Sequence, residues 1–214
     1  MPRYLILKLQ GPMQAWGAHT FEDFRPSHLF PTRSALLGLI GACLGIDRQD
    51  HSSFGQLEAS VEFTVRMDAS GVKLPDFHTV LDARKVDGSV NKNPIVSQRE
   101  YLFDAAFTIA IGEKSAAPIP LEKISAALEQ PCFTPSLGRR SCPIARPLLH
   151  DKTPLQADDA KAALALVLPA GGLIYAEGSL PSAQPLRLRD VPIRGRKRQF
   201  ATRVVYLHKE PPCS

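Results

Sequence analysis

Cysteine is scarce in this sequence, and metal-binding spacings are missing. Only four of the 214 residues are cysteine, namely Cys43, Cys132, Cys142 and Cys213. None belongs to a Cys-x-x-Cys pair, and no histidine stands near them at metal-ligand spacing, so the sequence predicts neither a zinc site nor a disulfide scaffold. We therefore expect a reducing cytoplasm and no metal or other cofactor.

Membrane-directing segments are missing as well. The longest apolar stretch, residues 36–46, is interrupted by glycines and is shorter than the roughly 20 residues that span a bilayer. The N-terminal apolar run is broken by Lys8 and is not followed by a small-residue cleavage site. We expect no membrane role.

Positive charge is in modest excess and is unevenly distributed. Lys and Arg total 26 against 21 Asp and Glu, which gives a net charge of +5 and a pI near 9.1. A basic strip over residues 187–203 has one acidic residue, Asp190, and the positive residues Arg187, Arg189, Arg194, Arg196, Lys197, Arg198 and Arg203. Such a strip favours nucleic-acid binding, although a solvated surface or tail has the same composition.

Hydrophobic patterning predicts an α+β fold. Strands are predicted over residues 4–9, 61–65 and 103–111, and helices over residues 33–44 and 119–128. Two β-α units joined by a long insertion are typical of the split β-α-β, ferredoxin-like sandwich that RNA-recognition domains also use.

Residues 68–98 differ in composition from the strands on either side. Gly71, Pro75, Gly88 and Pro94 alternate with charged residues, and apolar pairs are sparse after residue 78. Since this segment has no core face of its own, we interpret it as an excursion from the main domain.

The start of the first predicted helix has the residues of an anion site. Pro31 and Thr32 can start and cap this helix, and its first turn carries Arg33 and Ser34. Free backbone N–H groups, a guanidinium and a hydroxyl would then converge at the positive end of the helix dipole. The pattern indicates phosphate binding, and an ordinary capped core helix is the alternative.

Eight short motifs give the chain a family resemblance. They are YLIL at residues 4–7, GPMQAWG at 11–17, FPTRS at 30–34, GACLGI at 41–46, HTVL at 78–81, REYL at 99–102, LGRRSCP at 137–143 and RQFA at 198–201. In this order they resemble the CasD-type subunits of CRISPR Cascade, subtype I-E, in the RAMP superfamily of ferredoxin-like RNA-binding proteins. Each motif is weak by itself, but together they cover nearly the whole chain.

The resemblance implies a fold and a set of partners. It implies an RRM-like palm over residues 1–145 with an inserted β-hairpin thumb at about 77–98, and a small β-rich extension over residues 146–214 packed on the palm. It also implies a non-catalytic subunit that caps one end of the complex and binds the 5′ handle of the crRNA. The expected protein partners are the backbone subunit and the large PAM-sensing subunit, and target DNA would be engaged only indirectly.

The resemblance also implies RNA-binding roles near the N-terminus. Gln14 can hydrogen-bond a base edge or a phosphate, and Trp16 can stack on an unpaired base, with a core aromatic as the alternative. Arg33 and Ser34, at the helix start, are the expected phosphate ligands.

A second group of expected RNA ligands lies further along the chain. Arg139, Arg140 and Ser141 follow Gly138, where the missing Cβ would let RNA approach while guanidinium groups bind phosphate oxygens. One of the two arginines can pair with a carboxylate instead. The expected set is completed by His78, Arg84 and Arg198.

His78 raises the question of catalysis. Metal-independent RNA cleavage needs a general base, and a histidine with a nearby tyrosine or lysine would provide one. The sequence shows no tight His, Lys and Tyr constellation, so we assign His78 to RNA contact or thumb structure. Endoribonuclease processing of CRISPR repeat RNA is the alternative function, and an assembly subunit that touches RNA only incidentally is a further alternative.

Overall fold

A seven-stranded antiparallel sheet runs through the protein. The structure, a computed structural model, describes residues 1–18, 20, 23–85, 87–179, 182–193 and 199–210. The helices are α1 (Arg33–Cys43), α2 (His51–Ser60), α3 (Leu121–Glu129) and α4 (Ala160–Ala165). The strands are β1 (Arg3–Gln10), β2 (Met13–Gln14), β3 (Trp16–Gly17), β4 (Phe24–Arg25), β5 (Ser27–His28), β6 (Val61–Ala69), β7 (Val72–Val80), β8 (Ile95–Phe103), β9 (Ala106–Glu113), β10 (Leu155–Gln156), β11 (Gly172–Ala176), β12 (Gln184–Pro192) and β13 (Phe200–Glu210).

The strand order shows how the two predicted strand-helix units combine. The order in the large sheet is β10-β1-β9-β6-β11-β13-β12. Helices α1 and α2 connect β1 to β6, which have β9 between them, and α3 connects β9 to β10, which have β1 between them. Each connection is a split β-α-β unit. The chain therefore has the predicted α+β class.

Alternation along β1 separates two apolar layers. Leu5, Leu7 and Leu9 are fully buried on the face that α1, α2 and α3 cover. Tyr4 and Ile6 point to the opposite face, where they pack against α4. The central strands are thus covered on both sides, as their nearly continuous apolar sequence requires.

The predicted excursion folds as an antiparallel hairpin of β7 and β8. Every residue of β7 is exposed except the half-buried His78, whereas Tyr101 and Leu102 near the end of β8 are buried. Strand β8 also pairs with the short strands β2 and β4. The second half of β8 therefore fastens the hairpin to the core, and the rest projects from it.

Element boundaries follow local chemistry. Helix α1 begins at the predicted residue, because Thr32 Oγ1 accepts a hydrogen bond from the Ala35 amide at 3.4 Å. Strand β9 begins later than predicted, because Asp104 has a left-handed backbone conformation (φ 55°) and turns the chain between β8 and β9. None of the helices that the structure describes is long and apolar enough to cross a membrane.

Strands after residue 146 belong to the same large sheet. Strand β10 pairs with β1 at one side, and β11, β13 and β12 continue from β6 at the other. These residues complete and extend the sheet, and the division into a palm and a packed extension stays a prediction.

Candidate functional site

The start of α1 is an anion site, but its anion belongs to the protein. The Arg33 amide donates to Asp190 Oδ2 at 2.9 Å, and Asp190, on β12, is 2% exposed. Arg203 donates to the same carboxylate through Nε and Nη2 at 2.6 and 2.7 Å. Burial opposes ionisation of Asp190, but the hydrogen bonds and charge of Arg203 and the Arg33 amide outweigh it, so its pKa lies below the ordinary value. A buried carboxylate therefore occupies the place where the sequence predicts a phosphate.

The Arg33 side chain is also used inside the protein. It is 7% exposed, its Nη1 lies 2.5 Å from Glu177 Oε2, and its Nη2 donates to the Glu58 carbonyl at 3.0 Å. This corrects the expected role of Arg33, since an enclosed and paired guanidinium does not reach an RNA phosphate. Ser34 is half-buried, with its Oγ 3.2 Å from Thr32 Oγ1, and its role stays a prediction.

Gln14 and Trp16 form a buried pair. Both are 0% exposed. Gln14 Nε2 donates to the Ala105 carbonyl at 2.6 Å, and its Oε1 accepts from Trp16 Nε1 at 3.1 Å. The Trp16 ring meets Phe107 edge-on, with ring centroids 6.4 Å apart. The expected base contacts of both residues are therefore corrected, because neither side chain is open to RNA, and Trp16 is a core aromatic.

The loop over residues 137–143 packs against the protein at Gly138 and Arg139. Gly138 has φ 93°, and a Cβ there would overlap the carbonyl oxygen of Ala15, so this glycine serves close chain packing and not RNA approach. Arg139 donates to the carbonyls of Glu100 and Arg25 at 3.1 and 2.9 Å. Arg139 is half-buried and fastens the loop to the hairpin base through these two bonds, and its expected role as a phosphate ligand stays a prediction.

Predicted site residues do meet around Tyr101. The Tyr101 Oη lies 3.3 Å from His78 Nε2 and 3.5 Å from Ser141 Oγ. The Arg139 guanidinium lies over the Tyr101 ring, 4.7 Å from its centroid. Arg140 and Ser141 are exposed beside this cluster. Sequence reasoning did not name Tyr101 as a site residue, although the REYL motif contains it.

A carboxylate holds the His78 ring. His78 Nε2 lies 2.7 Å from Asp76 Oδ2, so the carboxylate stands beside the same ring nitrogen that faces Tyr101. The lysine of the hairpin's first strand, Lys73, is five residues from His78 and so lies on the other face, where it pairs with Glu100 at 2.9 Å. The structure thus joins His78 to a tyrosine but not to that lysine.

Two arginines that sequence reasoning missed lie side by side at the hairpin base. Arg25 on β4 and Arg99 on β8 are in register, so their side chains leave the same face. Arg99 Nε donates to Ser97 Oγ at 3.1 Å, and the Nε of Arg25 is buried without a hydrogen-bond partner. Within the described residues, neither arginine forms an ion pair. No spacing in the sequence relates these two residues, because the parallel pairing of β4 and β8 is what aligns them.

We call this group the hairpin-base site. It consists of Arg25, His78, Arg99, Tyr101, Arg140 and Ser141. Its guanidinium groups, hydroxyls and aromatic ring are the groups that bind phosphate oxygens and unstacked bases.

The other predicted basic residues lie elsewhere. Arg84 is exposed near the hairpin tip, where its backbone bridges Val90. Within the basic strip, Arg187 and Arg189 are exposed, whereas Arg203 is paired with Asp190. Arg198 and its neighbours Arg194, Arg196 and Lys197 lie outside the described residues.

Comparisons with known proteins show the family of the chain. A family model described as "CRISPR-associated protein (Cas_Cas5)" matches residues 4–206. The "CRISPR system Cascade subunit CasD" of Escherichia coli (strain K12) is 46% identical over 219 residues, which cover 98% of this chain and 97% of that protein. A chain of a solved "CRISPR RNA-guided surveillance complex" has a TM-score of 0.80 and 29% identity, covering 98% of this chain and 91% of that one. A solved "Cas protein" has a TM-score of 0.70 and 28% identity, covering 98% and 95%. The chain therefore belongs to the CRISPR-associated protein (Cas_Cas5) family.

Proposed function

We propose that this chain is a non-catalytic RNA-binding subunit of a type I-E CRISPR Cascade complex. It binds and caps the 5′ handle of the crRNA in the cytoplasm, next to the backbone subunit and the large PAM-sensing subunit, and engages target DNA only indirectly. Family membership and 46% identity to a Cascade subunit support the proposal. The expected assignments of Ser34, His78, Arg84, Arg139, Arg140, Ser141 and Arg198 to RNA belong to it.

The observation that most directly supports RNA binding is the in-register pair of Arg25 and Arg99. Like charges on neighbouring strands repel each other, so an anion between them would be stabilising. An RNA backbone crossing the hairpin-base site supplies such an anion, with Tyr101 and His78 beside it.

The strand order supports a ferredoxin-like palm. The segment β10-β1-β9-β6, with α1 and α3 as its connections, has the order of a β-α-β-β-α-β sandwich. In this interpretation residues 1–145 form the palm, residues 146–214 form its extension, and the β7-β8 hairpin is the thumb.

Removing charge from the hairpin-base site should weaken RNA binding in a salt-dependent way. For the double variant Arg99→Gln, Arg140→Gln we expect handle RNA to bind at least about tenfold more weakly at low salt. The slope of log affinity against log salt should flatten by about 0.7 for each lost phosphate contact. Fluorescence anisotropy with labelled handle RNA at several salt concentrations measures both quantities.

The matched control is Arg48→Gln, which removes an exposed arginine outside the site. It should keep the parental salt slope. A folded double variant that also keeps the parental slope would contradict the proposed RNA contact.

RNA that is bound at this site should stay intact. Within the described residues no lysine joins His78 and Tyr101, so the His, Lys and Tyr constellation of metal-independent cleavage is incomplete there and we expect RNA to be held and not cut. Labelled repeat RNA incubated with excess protein in EDTA should show the same length on a denaturing gel after a single-turnover period. Cleavage at one position that His78→Ala abolishes would instead assign the endoribonuclease function.

A further inference from the structure

An acidic cleft opens at the end of the sheet opposite the hairpin. Strand β6 places Glu62, its second residue, at the cleft and ends near the hairpin with Ala69, seven residues and about 23 Å further along. The cleft has a volume of about 200 Å³ and lies between the start of β1, the start of β6 and the start of α4. It is therefore separate from the hairpin-base site.

The charge of this cleft comes from two carboxylates. Glu62 and Asp159 both line it. Within the described residues, the Glu62 carboxylate has neither an ion pair nor a hydrogen bond, and the Asp159 carboxylate accepts only the α4 cap bond from the Ala162 amide at 2.7 Å. Arg3 also lines the cleft, but Glu113 and Glu122, each 2.5 Å from its guanidinium, offset its charge.

A second, independent feature is a mostly buried tyrosine whose hydroxyl has no hydrogen-bond partner among the described residues. Tyr4 is 9% exposed and lines the same cleft, and its hydroxyl makes no hydrogen bond to any of the described residues. Burial raises the pKa of Tyr4, with smaller contributions from the charges of Asp159 and Glu62. The ring of Tyr4 is packed in the protein while its hydroxyl opens on the cleft, where it is free to hydrogen-bond a cation held by the two carboxylates.

Glycines keep the cleft open. A Cβ on Gly178 would stand 2.9 Å from Glu62 Oε1, and one on Gly112 would stand 3.2 Å from the Tyr4 ring. The space beside Glu62 and Tyr4 is therefore available to a group from outside the chain.

We propose that this cleft binds an arginine or lysine side chain of a protein partner. The described residues contain no group of three or more His, Cys, Asp or Glu side chains that could hold a metal ion, so a side-chain cation fits better than a metal. RNA does not fit, because carboxylates repel phosphates. The basic residues of the hairpin-base site bind RNA, whereas the acidic cleft binds another subunit of the complex. Identifying the partner as a subunit of the complex rests on the proposed function.

The test uses the assembled complex and the double variant Glu62→Gln, Asp159→Asn. Asparagine caps a helix about as well as aspartate, so α4 should be retained. The variant and the parent are each loaded with handle RNA, and their affinities for the other purified subunits of the complex are measured by biolayer interferometry at low and high salt. We expect the variant to bind these subunits about tenfold to a hundredfold more weakly than the parent at low salt. Added salt should weaken subunit binding less in the variant than in the parent. Both proteins should bind handle RNA equally tightly.

A matched control distinguishes the effect of the cleft carboxylates from the effect of a changed net charge. The double variant Glu129→Gln, Asp151→Asn removes two exposed carboxylates outside the cleft and should assemble like the parent. A photo-crosslinking residue at Ser179, on the cleft rim, should join a partner peptide that contains arginine or lysine. Unchanged assembly of the cleft variant with RNA still bound, or crosslinks to RNA alone, would overturn the inference. Failure of the parent chain to hold handle RNA would instead contradict the proposed function.

Discussion

Replacing Asp190 by alanine should lower the free energy of unfolding by about 3–5 kcal/mol, the usual cost of breaking a buried ion pair. Asp190 accepts hydrogen bonds from the Arg33 amide and from two nitrogens of Arg203. Its removal leaves two nitrogens of the partly buried Arg203 guanidinium and a helix-terminal N–H without their acceptor, and only the Glu177 ion pair of Arg203 remains. Urea unfolding followed by circular dichroism measures the loss, and Asp158→Ala, at an exposed acid, should change stability by less than about 0.5 kcal/mol.

The Asp190 carboxylate should also make the free energy of unfolding depend on pH. Since the pKa of Asp190 is lower in the folded than in the unfolded state, its contribution is present above the unfolded value of about 3.9 and is lost as the pH falls through the folded value. The parent should therefore lose more stability than Asp190→Ala as the pH drops from about 5 to below 4. Equal losses in the two proteins, or a neutral substitution at pH 7, would contradict the structural role of Asp190.

Shortening the hairpin should abolish function while sparing the fold. His78 and Ser97 face each other across β7 and β8, so residues 79–96 can be replaced by Asn-Gly, which favours a two-residue hairpin turn. The removed part is almost entirely exposed, and the buried Tyr101 and Leu102 stay in place. We expect a cooperative transition within about 1 kcal/mol of the parent and loss of assembly with the backbone subunit and of target interference.

One outcome would contradict the structural part of this prediction, and another would contradict its functional part. Unfolding of the shortened chain would show that the outer hairpin belongs to the core. Survival of both assembly and interference would show that it is not a thumb. The matched control is Arg84→Ala in the intact hairpin, which removes a charge near the tip but keeps the strands. It should weaken RNA binding without preventing assembly.

Local signals predicted the elements that depend on local chemistry. Thr32 caps α1 through an amide three residues away, and a period of two marks β6. Helix α2 has an equally local cap, in which Asp50 accepts from the Ser53 amide at 2.9 Å, yet patterning missed it because Phe54 and Leu57 are its only buried apolar residues. Short helices with so few core contacts give little periodicity.

The candidate site was less predictable because distant contacts decide which polar residues are free. The sequence offers Arg33 as a surface cation, but its partner Glu177 is 144 residues away. Conversely, Arg25 carries no signal until the pairing of β4 with β8 places it beside Arg99. His78 and Tyr101 are 23 residues apart and meet only through the hairpin register. A chemical pattern identified suitable residue types, whereas the fold decided which of them face outward.

The hydrogen bond from the Arg33 amide, at the start of α1, to Asp190 also has a consequence for folding during translation. The helix is synthesised early, but the carboxylate that satisfies its first amide follows 157 residues later. A chain still emerging from the ribosome therefore carries α1 with an unneutralised N-terminus, and the central strands lack β10 until residue 155 has appeared. Folding that depends on such distant pairings is slow. The nascent chain should reach its native state only after Asp190 has emerged, so its apolar strands need protection from aggregation until then.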